Sequence, residues 1–281
     1  MTLILKVPFS KGGLGKTQGC EKAPDQIIQL FQELNLNESG LNPKVQISEI
    51  PINQFNIEET NNSIFENIDQ ELTKQNKLNT QSINQTKSNN KNKKIILIGG
   101  DHSITYSSFK AAAKHNPNLG LVLFDAHPDC ENNFHPPTHE DFVKVLIREK
   151  ILKPQNLIII GLRSWDGKEK EFLDAEKIQY YTMKKLTIEG ISNICDGITE
   201  TLNNWDSVYL SIDIDVVDPA FAPGTGYCEP GGLTSRDLIY CLQRIKLLKN
   251  LKMIDLVEIN PIKDITTKTV SLGAKILKEL V

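Results

Sequence analysis

Short apolar runs alternate with amphipathic segments along most of this chain. The runs at 95–98 and 119–124 are apolar at almost every position, which is typical of strands buried on both faces of a parallel sheet. Segments with apolar residues three and four apart follow them and predict helices. Further strands are predicted at 3–7, 45–52, 157–160, 180–181, 208–214 and 253–258, and helices at 24–34, 103–115, 141–150, 168–176, 187–203, 235–248 and 266–280. This alternation predicts an α/β fold of three layers, α/β/α, with a mainly parallel sheet in the middle.

One segment interrupts the alternation. Residues 61–94 are dominated by Asn, Gln, Lys, Ser and Thr, a composition typical of a surface segment. Apolar residues with helical spacing occur in its first part, whereas residues 78–94 are expected to form a mobile surface loop. With 281 residues, the chain is expected to form a single domain, 1–281, that carries this low-complexity insert.

Composition argues against several classes of function. The net charge is −3 at pH 7, so charge does not favour a nucleic-acid partner. No stretch approaches the roughly 20 apolar residues of a membrane span, and the apolar start ends at Lys6, as in a first strand rather than a signal peptide. Five scattered cysteines without a C-x-x-C pair indicate reduced thiols, and a cytoplasmic protein is therefore expected.

Three predicted strands end in acidic residues and histidines. These polar ends are Asp101 and His102, then Asp125, His127 and Asp129, and finally Asp213 and Asp215. Alternate residues of a strand point the same way, and the carboxyl ends of parallel strands meet at one edge of the sheet. Each Asp alone could cap the following helix. Gathered at one edge, the unpaired groups would be costly to desolvate without a bound cation.

The candidate ligands are carboxylates and imidazoles without cysteine. This set suits Mn²⁺ or a similar divalent ion better than a thiolate zinc site. The carboxylates are more numerous than a single ion requires, so two bridged ions are expected.

A glycine-rich motif near the start points to a different class of function. The run Lys-Gly-Gly-Leu-Gly-Lys-Thr at 11–17 matches a variant phosphate-binding loop and follows the first predicted strand. Such a loop must open a helix whose amide groups bind phosphate. Gly19 and Pro24 follow without apolar periodicity. A surface loop is therefore favoured, and a nucleotide-binding regulatory protein is the remote alternative.

The motifs together strongly resemble the ureohydrolase family, which contains arginases and agmatinases. The resemblance is carried by Gly-Gly-Asp-His-Ser (99–103), Asp-Ala-His-Pro-Asp (125–129) and the segments 211–226, 229–237 and 255–261. It implies a hydrolase that acts on linear amidines and converts a small guanidino compound to urea and an amine with two Mn²⁺ ions. It also implies a homo-oligomer, either a trimer or a hexamer.

The resemblance further implies a role for each polar strand end. One ion would be bound by His102, Asp125, Asp129 and Asp213, and the other by Asp125, His127, Asp213 and Asp215. Asp125 and Asp213 would bridge the ions, and Asp129 would also orient the attacking hydroxide. Metals lower the pKa of bound water enough to supply that hydroxide near neutral pH.

Other residues of the resemblance concern the substrate. His139 stands in the place of the family's proton-shuttling histidine, and motif spacing favours it over His135 in the same Pro-rich loop. Glu258 matches the carboxylate that pairs with the substrate guanidinium. Asp166 either faces the far end of the substrate or is a turn residue before Gly167, and both interpretations stay open.

The sequence departs from arginases around the substrate tail. Glu140 replaces the glycine after the shuttle histidine, in a loop that holds the α-amino and carboxylate groups of arginine. Pro-Gly-Thr-Gly at 223–226 looks more like agmatinases, whereas 8–12 looks more like arginases. Hydrolysis of agmatine to putrescine and urea is expected, and Glu131 and Glu140 would suit its cationic tail. The alternatives are arginase activity, which forms ornithine and urea, and formimidoylglutamase activity.

Overall fold

A parallel sheet of eight strands forms the middle layer of the molecule. The computed structural model describes residues 2–83 and 94–281. Its strands are β1 (Thr2–Val7), β2 (Val45–Glu49), β3 (Ile95–Gly99), β4 (Leu119–Phe124), β5 (Leu157–Leu162), β6 (Gln179–Thr182), β7 (Ser207–Asp213) and β8 (Leu251–Val257). They lie in the order β2-β1-β3-β8-β7-β4-β5-β6, and their pairings are parallel. The predicted parallel sheet is confirmed.

Helices cover both faces of this sheet. They are α1 (Ala23–Glu33), α2 (Ile57–Ile83), α3 (Ile104–His115), α4 (Phe142–Arg148), α5 (Gly167–Ala175), α6 (Met183–Glu189), α7 (Ile191–Asn203), α8 (Ser235–Ile245) and α9 (Lys268–Leu280). Buried residues of α1, α6, α7, α8 and α9 pack on one face, and those of α2, α3, α4 and α5 pack on the other. The predicted three-layer α/β/α fold is confirmed.

Successive residues of the central strands belong to opposite cores. In β3, Ile96 and Ile98 pack against the layer that contains α1 and α9, whereas Ile95 and Leu97 pack against the layer that contains α2 and α3. All four are fully buried. Each such side chain contributes roughly 1.5–3 kcal/mol relative to an exposed one. Burial on both faces explains why these runs are apolar at consecutive positions.

The polar insert is helical over much of its length. Ile64, Ile68 and Leu72 are buried on one side of α2, as their spacing predicts. The helix continues to Ile83, so the loop predicted from residue 78 begins too early. Gln, Lys and Asn are compatible with a helix, and a polar composition alone does not identify a loop. The remainder of the predicted loop, 84–93, lies outside the described residues, and its status as an insert stays a prediction.

One predicted helix is divided into two. The helix expected at 187–203 is interrupted at Gly190, which has φ 81°, between α6 and α7. This left-handed conformation favours glycine because it lacks Cβ. The break lets α6 follow β6 directly and lets α7 pack against the sheet as a separate element.

The order of the strands determines where the polar strand ends meet. β3, β8, β7 and β4 are consecutive neighbours in the sheet, and ligands bind at the carboxyl ends of strands in such folds. The loops that follow these four strands therefore form one surface. In the part of the chain that the structure describes, no helix is long and apolar enough to cross a membrane.

Candidate active site and metal centre

The first group of candidate ligands surrounds Nδ1 of His102. This atom lies 3.2 Å from Asp125 Oδ2, 3.0 Å from Asp129 Oδ2 and 3.2 Å from Asp213 Oδ2. All four side chains are buried. The structure thus brings together, from β3, β4 and β7, the residues that the resemblance assigns to one ion.

The second group surrounds Nδ1 of His127. It lies 3.0 Å from Asp215 Oδ2 and 3.5 Å from Asp125 Oδ1. Asp125 therefore directs one oxygen toward each histidine, which is the arrangement of a bridging ligand. Asp213 directs Oδ2 toward His102, while its Oδ1 accepts the Asp215 amide N–H at 2.8 Å. A contact of Asp213 with the second ion stays a prediction.

Side chains behind His102 determine the tautomer of its ring. Nε2 lies 2.8 Å from Ser211 Oγ, and that hydroxyl donates to Asp255 Oδ1 at 2.6 Å. Because the hydroxyl uses its hydrogen on Asp255, it accepts one from Nε2 of His102. The network therefore assigns the proton to Nε2 and leaves a lone pair on Nδ1, as a metal-binding imidazole requires.

The atoms of the first group that face each other lack partners of their own. His102 Nδ1, Asp125 Oδ2 and Asp129 Oδ2 are buried without a hydrogen-bond partner among the described residues. Carboxylate oxygens and an unprotonated ring nitrogen repel one another at contact distance, and either a proton on Nδ1 or a metal ion between them removes that penalty. In each group, Asp125 with its histidine and a second aspartate offers ligand atoms within 4.8 Å of one another. The residues present fit two metal ions.

Crowding of carboxylates changes their proton affinities. Burial, together with the charge of Asp125, raises the pKa of Asp129 to about 7. Burial and the charges of Asp215 and Asp125 raise the pKa of Asp213 well above its usual range. Burial opposes the charged form of His102, but its carboxylate neighbours raise the pKa of that imidazole. The cluster holds an excess of negative charge, which divalent cations would offset.

His139 and Glu258 lie next to these ligands. His139 Nδ1 is 3.1 Å from Glu258 Oε1, and the same oxygen accepts the backbone N–H of His102 at 2.8 Å. Burial disfavours a charge on His139, but the hydrogen bond with Glu258 and its charge raise the pKa of His139 to about 9. The imidazole is therefore protonated near neutral pH and can donate a proton.

The rival histidine lies elsewhere. His135 is exposed and lines a separate cavity with Tyr106 and Pro137, outside the cavity that His139 lines. Spacing along the sequence alone left both residues open. The structure favours His139 because only it meets Glu258.

Two site residues have an uncommon backbone conformation. Asp129 has φ 50° and Glu258 has φ 62°, in the left-handed region. Non-glycine residues there cost of order 1–3 kcal/mol and persist where the surroundings hold them. In Glu258 this turn follows the last residue of β8 directly and directs the carboxylate toward His102 and His139. Residue 258 was predicted to be the end of the strand.

A cavity of about 250 Å³ opens over both ligand groups. Its wall, apart from the ligands themselves, is largely acidic and aromatic. It includes Glu131, His139, Glu140, Ser164, Trp165, Asp166, Glu169, Tyr227, Glu229 and Glu258. Among the described residues that line it, none is a lysine or arginine. The cavity therefore suits a positively charged ligand.

Asp166 caps a helix and also lines the cavity, while its contact with the substrate stays a prediction. Its side chain accepts the Glu169 N–H at 2.8 Å, and Glu169 accepts the Asp166 N–H at 3.0 Å, which forms a capping box at the start of α5. Asp166 also lines the cavity. It is a helix cap whose carboxylate lies at the mouth of the site.

The glycine-rich loop near the start supports the site and opens no helix at Thr17. The Gly12 N–H donates to Asp101 Oδ2 at 2.9 Å, and the Gly12 carbonyl accepts the His139 N–H at 3.0 Å. A Cβ at Gly12 would lie 2.0 Å from Ser103 Oγ. The loop amide thus binds an internal carboxylate. Gly12 is buried, and only part of the loop, including Gly15 and Lys16, is exposed as predicted. Asp101, one of the polar strand ends, serves this loop rather than either ligand group.

Sequence reasoning did not single out several residues around the site. Asp255 and Ser211 orient His102, Tyr227 covers the cavity, and Cys20 Sγ lies 3.9 Å from Glu258 Oε2. Asp255 opens the motif at 255–261, and as an acid between the apolar residues Ile254 and Leu256 it signalled a buried carboxylate that requires internal partners. The position of Tyr227 depends on the folding of a long loop.

The α/β/α fold brings two groups of carboxylates and histidines together in a cavity at the edge of the sheet. This arrangement defines a metal-dependent hydrolase. The family model described as "Arginase family" matches residues 2–281. The chain belongs to the arginase family of binuclear metal hydrolases, which act on guanidino and amidino compounds. The family resemblance in the motifs is thereby confirmed.

Known proteins with different names share this fold. An arginase from Staphylococcus aureus (strain MRSA252) is 31% identical over 247 residues, which cover 83% of this chain and 79% of the relative. The formimidoylglutamase structure from Bacillus subtilis subsp. subtilis str. 168 has a TM-score of 0.88 at 24% identity, covering 100% of this chain and 86% of that one. A hypothetical agmatinase from Burkholderia thailandensis has a TM-score of 0.83 at 23% identity, covering 99% and 84%. These two structures support the fold alone.

Proposed function

We propose that this protein hydrolyses a guanidino compound with a cationic tail, agmatine above all, to urea and an amine, with two Mn²⁺ ions. The observation that carries the proposal is the acid-walled cavity over both ligand groups, which Glu258 and His139 also line. The products from agmatine are urea and putrescine.

The ligand sets support manganese. Asp125, Asp129, Asp213 and Asp215 supply hard oxygen atoms, and His102 and His127 supply one imidazole to each group. Such oxygen-rich sites suit Mn²⁺. When bound, the ions would supply a water ionised near neutral pH as the nucleophile. Asp129 would hold that water by accepting its hydrogen.

The protein residues around the substrate bind and protonate it. Glu258 is buried and would pair with the guanidinium through charge-assisted hydrogen bonds. His139 would donate a proton to the amine nitrogen as the bond from carbon to that nitrogen breaks. The hydrogen bond from His139 to Glu258 keeps the donor next to the guanidinium.

The tail is the part of the substrate that distinguishes the relatives. Agmatine ends in an ammonium group, whereas arginine and formimidoylglutamate carry carboxylates. The cavity wall contains Glu131, Asp166 and Glu229 and no described lysine or arginine. It would therefore repel a substrate tail that carries a carboxylate. An ammonium group would be attracted. This favours agmatine over arginine and formimidoylglutamate.

Steady-state release of urea with Mn²⁺ tests the proposal. Agmatine and 4-guanidinobutyrate are a matched pair, because they have the same chain length and differ only in tail charge. Agmatine should have the higher kcat/KM by at least about tenfold, which corresponds to about 1.4 kcal/mol. Arginine is assayed for urea, and formimidoylglutamate for formamide.

Equal or faster turnover of 4-guanidinobutyrate or arginine would reject the proposed preference for a cationic tail. Absence of urea release from every guanidino compound tested would reject the proposed reaction.

A further inference from the structure

Glu140 lies between the cavity wall and His139. One carboxylate oxygen, Oε1, accepts the phenol hydrogen of Tyr227 at 2.5 Å. The same oxygen lies 3.6 Å from Nε2 of His139. The Glu140 side chain remains partly open to solvent, with 25% relative exposure. This carboxylate therefore connects an enclosed imidazole with the outside.

The two ring nitrogens of His139 have different surroundings. The side chain is 5% exposed, and Nδ1 is engaged by Glu258 at 3.1 Å. Nε2 is buried without a hydrogen-bond partner among the described residues. Glu140 is the carboxylate that the structure places next to this nitrogen. Catalytic hydrogen bonds often lengthen in the absence of substrate, so a small rotation of Glu140 or a bridging water would complete the contact.

Tyr227 is held in place from several sides. Its ring centre is 5.4 Å from the ring of His127 and 5.9 Å from that of His139. Lys16 Nζ lies 4.1 Å above the ring, a cation–π contact. Lys263 Nζ donates to the carbonyls of Lys16 and Gly226, which ties together the two loops concerned. The phenol therefore fixes the position of the Glu140 carboxylate.

We propose that Glu140 is a positioning residue that relays protons between solvent and Nε2 of His139, with Tyr227 holding it in place. The proposal rests on the proposed hydrolysis and deepens it. It concerns a position at which this chain has a carboxylate and arginases have a glycine. Glu131, Asp166 and Glu229 remain available for the substrate tail.

The relay balances the protons of the reaction. Hydrolysis forms a bond from a water oxygen to the guanidinium carbon and breaks the bond from that carbon to the amine nitrogen. The electron pair of the broken bond stays on nitrogen, which takes a proton from His139. Glu140, protonated from solvent, then returns a proton to Nε2. The attacking water releases both of its protons to solvent, and the freed amine takes its second proton from solvent. No net proton is consumed, because guanidinium and water give urea and an ammonium ion.

Glu140→Gln provides the decisive variant. The amide oxygen can still accept from Tyr227, so the loop is retained, but the side chain cannot carry a proton. With agmatine, we expect kcat to fall about 100-fold with KM changed less than about twofold, in keeping with the loss of one proton-transfer group. Added imidazole or formate buffer should restore kcat in proportion to its concentration in the variant and leave the wild type unchanged.

Two more variants test the role of Tyr227 and provide a matched control. Tyr227→Phe removes the hydroxyl that holds Glu140 and should lower kcat to a smaller extent, with the carboxylate still present and no buffer rescue. Glu171→Gln makes the same chemical change on the exposed side of α5 and should match the wild type.

The results that would overturn the relay differ from those that would overturn the reaction. A Glu140→Gln enzyme with raised KM and unchanged kcat would identify Glu140 as a tail-binding group, and the relay would be rejected. A loss of kcat without buffer rescue would reject it too. If the wild type itself released no urea, the proposed function would fail first, independently of Glu140.

Discussion

His102 depends on side chains that do not face the cavity. Ser211 and Asp255 determine which nitrogen carries the proton, and Asp255 Oδ2 is in turn held by Tyr209 and Thr105 at 2.6 and 2.8 Å. Asp255 is fully buried, and these hydrogen bonds compensate its charge. A ligand that binds metal thus needs a second set of residues to orient it.

Ser211→Ala should weaken metal binding without unfolding the protein. Removal of the hydroxyl frees Nε2 of His102 from its partner, so both tautomers become accessible and the lone pair at Nδ1 is no longer fixed. We expect Mn²⁺ affinity to fall by about 10–100-fold, measured by calorimetric titration. Unchanged affinity with a native circular dichroism spectrum would contradict the orienting role. Ser271→Ala, on an exposed position of α9, is the matched control.

The two histidines of the Pro-rich loop give a direct comparison. His139→Ala should retain Mn²⁺, because neither ligand group includes it, and should lower kcat by about 10²–10⁴-fold as expected for a lost general acid. His135→Ala should match the wild type. Metal content by elemental analysis and kcat with agmatine check both expectations. A slow His135 variant beside a fast His139 variant would reverse the assignment.

The raised pKa of His139 predicts a pH profile. Glu258, Glu140, Asp101 and Asp129 face this imidazole, and its pKa is about 9 compared with 6.5 for a free histidine. The protonated form donates, so kcat should stay level through neutral pH and fall as pH rises through about 9. The same shift contributes stability that is complete below pH 6.5 and is lost through about pH 9. The high-pH decrease in kcat should be absent from His139→Ala; its persistence there would contradict the assignment.

At the scale of elements, the strands were easier to predict than the helices. β3 and β4 have uninterrupted apolar runs because helices bury both of their faces, and their limits follow the sequence closely. α2 was underestimated because polar residues are compatible with an exposed helix face. The division between α6 and α7 depends on the conformation of Gly190, which the apolar spacing on either side does not reveal.

The start of α5 places a helix cap, Asp166, in the wall of the cavity. Asp166→Ala removes the cap and should lower the free energy of unfolding by about 1 kcal/mol. Asp166→Asn keeps a capping oxygen but removes the charge, so stability should be nearly retained while KM for agmatine rises. Chemical denaturation and steady-state kinetics separate the two effects. An Asn variant with unchanged KM would restrict Asp166 to its role as a cap.

At the scale of the whole molecule, the acidic centre is a source of instability that metal should remove. Buried Asp125, Asp129, Asp213 and Asp215 repel one another without cations. Mn²⁺ at 100 times its dissociation constant should stabilise the folded state by about 2.7 kcal/mol and raise Tm. Asp213→Ala should lose most of this increase. A Tm that does not depend on Mn²⁺ would contradict the metal site.

Some expectations at this scale stay predictions. A trimer or hexamer is implied by the family resemblance, as is the small guanidino substrate, and the location in the cytoplasm is inferred from the cysteines.

The sequence by itself determined the type of fold and the identity of the candidate ligands. Both are properties of neighbouring residues, since apolar periodicity identifies buried strands and an acid–histidine run at a strand end identifies a ligand set. Tertiary structure alone decided how these groups act together. The contact of the His102 N–H with Glu258 joins residues 156 positions apart, that of His139 with Glu258 spans 119, and that of Tyr227 with Glu140 spans 87. Such contacts depend on the order of strands and the course of loops, which local patterns do not encode.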